Sequence, residues 1–146
     1  NFSGVTFTED ANFFEAKFTQ DANFFEAKFT GYASFFGATF TERADFSGAT
    51  FTEYADFSGA EFTEASFSRA KFTRYADFSE TTFQSKPIFT LDNKARFSCK
   101  VAPEDYNFKV SHISSYKIET EEQEHNGVKF IIPKGTELFD PDDPSN

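Results

Sequence analysis

The sequence predicts an all-β solenoid over about its first ninety residues, followed by a small C-terminal cap. Three observations carry that prediction. Phenylalanine recurs from Phe2 to Phe89 at intervals alternating between five and six residues, with one exception between Phe62 and Phe67. A small residue stands two positions before almost every one of these rings, as Ala44 does before Phe46 and Ala55 before Phe57. The flanking positions are polar, as Asp45 and Ser47 are. A fixed internal period marks a repeat architecture, in which each unit buries its apolar face only against its neighbours.

The period makes a helix the weaker reading. At about 100° per residue, a five-residue step turns a side chain by about 140° and the next step returns it, so the rings would form two separate stripes. Thr-Phe-Thr runs and the recurring Gly4, Gly37, Gly48 and Gly59 are also poor helix material. In an extended chain, residues two apart share a face, so Ala and Phe point inward together while their neighbours face water. Each five- or six-residue unit is then one side of a coil followed by a corner.

Ala44-Asp45-Phe46-Ser47-Gly48 and Ala55-Asp56-Phe57-Ser58-Gly59 resemble the pentapeptide-repeat family, whose motif is a small residue, Asp or Asn, Leu or Phe, and two variable positions. The likeness covers about residues 1 to 90. It implies a right-handed quadrilateral parallel β-helix, four units to a coil, with the central Phe and the preceding Ala inside. The chain departs from the motif by an extra residue in every second unit and by favouring Phe over Leu.

Four units make about 22 residues per coil, and about four coils in all. The rings then fall into four columns: Phe2, Phe24, Phe46, Phe67 and Phe89; Phe7, Phe29, Phe51 and Phe72; Phe13, Phe35, Phe57 and Phe78; Phe18, Phe40, Phe62 and Phe83. Coils about 4.8 Å apart bring stacked rings into the roughly 4.5 to 7 Å range that aromatic pairs favour. The shortened step from Phe62 to Phe67 removes one corner residue and leaves every column in phase. A thinner solenoid with one eleven-residue unit per coil would carry two Phe per coil and overfill a close-packed interior.

The repeat loses fidelity at Thr81 and at Pro87-Ile88-Phe89, and Lys94-Ala95-Arg96-Phe97-Ser98 reads as a last unit. Residues 1–98 are therefore assigned to the β-helix, 99–139 to a β capping segment and 140–146 to a flexible tail. Tyr116 to Thr120 and Val128 to Ile132 read as strands around an Asn126-Gly127 turn, and Tyr106 to Val110 as a third strand. A cap is expected because an open solenoid end exposes sheet edges and aromatic core.

Of 146 residues, 24 are Phe, none is Met or Trp, and the net charge is −10. Both parts are acidic, with 13 acids against 7 bases in residues 1–90 and 11 against 7 in 91–146. That field disfavours direct binding to nucleic acid or an anionic membrane. No stretch approaches the roughly 18 apolar residues of a membrane helix. The chain reads as soluble, with the compartment open and the cytoplasm favoured. A start at Asn1 without any Met predicts a processed product or a piece of a longer protein.

For chemistry, Cys99, His112 and His125 are the only thiol and imidazole groups, and their spacing matches no paired metal-ligand motif. No phosphate-binding Gly loop is present. Neither an enzyme, a cofactor, a metal nor a small-molecule substrate is expected. Thr8, Thr30, Thr52 and Thr73, with Thr19, Thr41 and Thr63, form outward rows of the kind a flat ice-binding solenoid displays, but Lys17, Lys28, Glu61 and Lys71 interrupt their companion row.

Two aromatic sets remain on the outside. Tyr32, Tyr54 and Tyr75 stack along a corner, and Phe14, Phe25 and Phe36 stand where later coils carry Ser47, Ser58, Ser68 and Ser79. These six are the candidate interface, since a soluble monomer rarely leaves such a strip bare. The expected function is a non-catalytic scaffold or interaction module, a rigid Phe-cored rod that displays polar ladders and contacts a protein partner or itself. The alternative implied by the family resemblance is an acidic mimic of duplex DNA that binds DNA gyrase or another topoisomerase, with Asp45, Asp56 and Asp77 on its surface.

Overall fold

Most of the periodic Phe sit in or just after strands of two residues, too short to stand alone, and the fold stacks these strands coil upon coil. The computed structural model describes residues 1–143; Pro144 to Asn146, the end of the expected tail, lie outside the described residues. Thr6–Phe7, Lys28–Phe29, Thr50–Phe51, Lys71–Phe72, Arg96–Ser98 and Glu137–Phe139 form one parallel sheet. Ala11–Asn12, Ala33–Ser34, Ala55–Asp56, Ala76–Asp77 and Tyr106–Asn107 form a second. Lys17–Phe18, Thr39–Asp45, Glu61–Ser66 and Thr82–Phe83 make a third, with Ala22–Asn23 pairing on Thr39–Asp45. Because Thr39–Asp45 and Glu61–Ser66 run through a corner, that third sheet covers two sides of the coil. The result is a four-sided parallel β-solenoid whose sides are the Phe7, Phe13, Phe18 and Phe24 faces.

The register is that of the 22-residue coil: Thr6 pairs with Lys28, Ala33 with Ala55 and Lys17 with Thr39. All four ring columns form. Phe18, Phe40, Phe62 and Phe83 stack at 4.7, 4.8 and 5.2 Å, and Phe7, Phe29, Phe51 and Phe72 at 4.8, 4.9 and 5.0 Å. Across the interior, rings of the Phe13 and Phe24 columns meet edge to face, as Phe46 and Phe57 do at 5.2 Å and 84°. Parallel stacks crossed by perpendicular contacts satisfy the ring quadrupole in both directions. The twelve expected core rings, Phe24, Phe29, Phe35, Phe40, Phe46, Phe51, Phe57, Phe62, Phe67, Phe72, Phe78 and Phe83, are the largest fully buried side chains. In the first coil, Phe2, Phe7, Phe13 and Phe18 are only partly buried, having no coil beneath them.

Corner chemistry explains the alternation of five and six. After the Phe13 and Phe24 columns the chain makes a four-residue turn, closed for example by Ala16 N–H donating to the Phe13 carbonyl at 3.0 Å. The third residue of each such turn is left-handed, as in type II turns: Gly37 at φ 65° and Gly48 at φ 71°, but also Glu15 at 53° and Glu26 at 55°. The six-residue corners carry one extra residue, and at two of them an Asp in the coil below accepts the amide of that residue. Asp10 Oδ1 accepts from Tyr32 N–H at 2.9 Å and Asp21 Oδ1 from Arg43 N–H at 3.2 Å. Gly31 is required beside the first of these, because a Cβ there would lie 2.6 Å from Asp10 Oδ1. The missing residue near Glu64 is absorbed as a register shift, and Phe67 still stacks on Phe46 at 5.2 Å.

Past Phe89 the rod continues through irregular connections. Phe97 stacks on Phe72 at 4.9 Å and Phe108 on Phe78 at 5.7 Å. The hairpin is Thr120–His125 with Val128–Pro133. Its first strand therefore starts at Thr120, where the sequence suggests Tyr116 to Thr120. The reason is the turn: Asn126 at φ 49° and Gly127 at φ 80° make a two-residue loop that pairs His125 with Val128 and fixes everything upstream. Tyr106–Asn107 joins the rod, pairing with Ala76–Asp77, and not the hairpin. Phe130 and Ile132 from the hairpin complete the core over the C-terminal end. The chain then returns as Glu137–Phe139, placing Leu138 opposite Phe97.

Candidate functional site

The outer surface of the Phe13 face is built by alternation. In Tyr32-Ala33-Ser34-Phe35-Phe36, Ala33 and Phe35 turn inward and are buried, so the other three residues share the outside. Stacked over four coils, they make three columns. The first runs Asp10, Tyr32, Tyr54, Tyr75; the second Asn12, Ser34, Asp56, Asp77; the third Phe14, Phe36, Ser58, Ser79.

The Tyr column is continuous, with centroids 4.9 Å apart between Tyr32 and Tyr54 and 5.0 Å between Tyr54 and Tyr75. Each of the first two rings reaches up one coil: Tyr32 Oη donates to Asp56 Oδ2 at 3.1 Å and Tyr54 Oη to Asp77 Oδ2 at 3.3 Å. The other oxygen of each Asp is already engaged, since Asp56 Oδ1 accepts from Ser58 N–H and Asp77 Oδ1 from Ser79 N–H, both at 2.9 Å. Each Asp thus ties its own turn to a Tyr of the coil below. Partial burial, then the charge and hydrogen bond of Asp56, push the Tyr32 hydroxyl up to about 12. Burial and the Asp77 charge push Tyr54 further in the same direction.

The Phe column is the exposed part of the face. Phe14 and Phe36 stack at 5.4 Å and 6°, yet remain 54% and 43% exposed. Both sit on turns whose amides are held by the preceding polar residue: Phe14 N–H donates to Asn12 Oδ1 at 2.9 Å and Phe36 N–H to Ser34 Oγ at 3.4 Å. Tyr32 and Tyr75, the ends of the Tyr stack, are 38% and 39% exposed, and Tyr54 between them is half-buried.

Phe25 does not join this group. It lies on the Phe24 face, across the rod, half-buried beneath the guanidinium of Arg69 at 5.6 Å. The six aromatic candidates therefore divide, five on the Phe13 face and one on the opposite side. The Thr rows are in part spent on the backbone, since Thr30 Oγ1 donates to the Phe7 carbonyl at 2.9 Å and Thr41 Oγ1 to the Phe18 carbonyl at 3.0 Å.

Cys99, His112 and His125 fall on three different elements: the end of the Phe7-face strand, the run beyond Phe108 and the tip of the hairpin. Burial, with the charge of Asp140, raises the Cys99 thiol above its usual range. Among the described residues no three His, Cys, Asp or Glu side chains gather in a way that could hold a metal ion. Periodicity does not reveal one further feature, a groove of about 600 Å³ between the last coil and the hairpin. Its walls come from segments around residues 108, 118 and 131, which no local pattern connects.

The family model for pentapeptide repeats (9 copies) matches residues 35–82, within the rod. No curated protein and no solved structure matches the chain. That segment, wound with Ala and Phe inside and Asp at the turns, is a run of repeats similar to those of the pentapeptide-repeat family.

Proposed function

We propose that this chain is a non-catalytic scaffold that makes protein contacts through the aromatic outer row of its Phe13 face, with a partner or with a second copy of itself. The supporting observation is the exposed Phe14–Phe36 stack beside the edge of Tyr32. Contiguous aromatic surface of this kind is unfavourable to leave in water and characteristic of contact surfaces. The rings are also pre-organised: their turns are pinned by Asn12 and Ser34, so docking orders little that is not already ordered. The Asp ladder supports this reading more than a DNA-mimic one, because Asp56 and Asp77 each commit both oxygens to turn amides and Tyr hydroxyls.

Light scattering tests the proposal. The native chain is expected to gain mass with concentration, and a Phe14→Ser/Phe36→Ser variant to stay at lower mass with higher solubility. Equal mass and solubility for the two proteins would exclude self-association through this face.

A further inference from the structure

On the Phe13 face each coil offers two amides to the coil above. Phe13 and Glu15 N–H donate to the Ser34 and Phe36 carbonyls, both at 2.7 Å; Phe35 and Gly37 to Asp56 and Ser58 at 2.7 and 3.0 Å. Phe57 and Gly59 donate to Asp77 and Ser79 at 2.8 and 2.9 Å, and Phe78 and Glu80 to Asn107 and Lys109 at 2.7 and 3.0 Å. Next in the series stand the amides of Phe108 and Val110. Among the described residues neither meets a hydrogen-bond acceptor. Both residues line the groove of about 600 Å³ beneath the hairpin, where Ile118 and the half-exposed Ile131 supply an apolar wall.

We propose that this groove is a docking site for an extended peptide, which adds as the missing strand above Tyr106–Asn107. Two carbonyls spaced two residues apart would take the vacant amides, continuing the ladder in the parallel sense used by the coils below. The residue between them would then turn toward Ile118 and Ile131, so it is large and apolar. In a chain of net charge −10, the charged groove residues are Lys109 and Lys117 against Glu80, with His112 beside them. The balance favours an acidic segment. The ligand class is therefore an extended peptide with an acidic residue next to an aromatic or large aliphatic one.

This inference shares with the proposed function only the premise that the chain binds protein, and it concerns a different surface. A fluorescein-labelled peptide copying residues 53–59, Glu-Tyr-Ala-Asp-Phe-Ser-Gly, presents that pattern in the register of a coil. Fluorescence polarisation with the full chain is expected to saturate. Val110→Pro, which removes one amide, and Ile131→Glu, at a half-exposed position, are each expected to weaken binding about tenfold or more. Phe14→Ser/Phe36→Ser should leave peptide affinity unchanged, so loss of the groove and loss of the aromatic interface are separate results. The proposal is overturned by a dissociation constant weaker than about 1 mM. It is equally overturned if Ile131→Glu binds as the native chain does, whatever Val110→Pro does to folding. Light scattering without peptide supplies a third outcome: a mass that falls on Ile131→Glu would give the groove to a second copy of the chain and exclude the peptide.

Discussion

Arg69 lies back across two coils onto Phe25, its guanidinium carbon 5.6 Å from the ring centroid and Nη2 3.7 Å from Glu26 Oε2. The path runs over Gly48, where a Cβ would stand 3.0 Å from Arg69 Nη2 and 3.0 Å from Glu26 Cγ. Gly48 also holds φ at 71°, which an L side chain adopts at a cost. Gly48→Ala is expected to destabilise the rod by about 1–3 kcal/mol, from backbone strain plus displacement of Arg69. Urea denaturation of the variant measures it. Gly4→Ala is the control for strain alone, because Gly4 has a similar φ of 69° with nothing within 4 Å of its Cβ position.

The depth of the core sets a gradient along the rod. Phe57, fully buried between Phe35 and Phe78 at 5.0 Å on each side, is expected to cost about 3–5 kcal/mol on substitution by Ala. Phe13, partly buried and stacked on one side only, should cost clearly less. Thermal melts of the two variants would reveal equal losses if the stacks did not carry the stability.

High pH attacks the Tyr column. The Tyr32 hydroxyl stands at about 12 in the folded chain against 10 for an ordinary tyrosine, so folding favours its neutral form. Its contribution to stability is complete below about pH 10 and is lost as pH rises toward 12. Absorbance titration at the tyrosinate band should show a component near pH 12 that is lost in Tyr32→Phe, while Tyr54 and Tyr106, which burial raises further, still titrate later. Asp56→Asn should bring that component to lower pH while leaving it above 10, since burial is the largest cause of the shift.

The returning strand Glu137–Phe139 is gripped from outside. Arg96 and Lys71 lie over the Phe139 ring at 4.8 and 5.7 Å, and Arg96 Nε is 3.3 Å from Glu137 Oε1. Phe139→Ala is expected to raise amide exchange at residues 137–139 by a factor of several without lowering the melting temperature of the rod in proportion. Exchange that rises equally at Phe57 would show the strand and the rod to unfold as one.

The rod is legible in the sequence because one side chain does nearly all the packing: each inward Phe announces a face, and Ala two residues earlier confirms which way it points. Beyond Phe89 the same core continues through Phe97, Phe108 and Leu138, but loops of unequal length separate them and the period vanishes. The first hairpin strand is read too early, at Tyr116 to Thr120, because Glu121, Glu122 and Glu124 mask the strand Thr120–His125 that the register of its turn sets. The aromatic site is only half legible. Phe14, Phe25 and Phe36 look like one series at eleven-residue spacing, yet winding at 22 residues sends Phe25 to the opposite face.

The position of every outward residue, and so of both proposed contact surfaces, depends on that winding. Ala33 pairs with Ala55, and Ala55 with Ala76, on one buried face, whereas Ala44 belongs to the opposite side. Methyl nuclear Overhauser contacts in a uniformly labelled sample test this most directly. A 22-residue coil gives cross-peaks from Ala33 to Ala55 and from Ala55 to Ala76, with none from Ala33 to Ala44. A strong Ala33 to Ala44 contact would mean a coil of eleven residues and would contradict it.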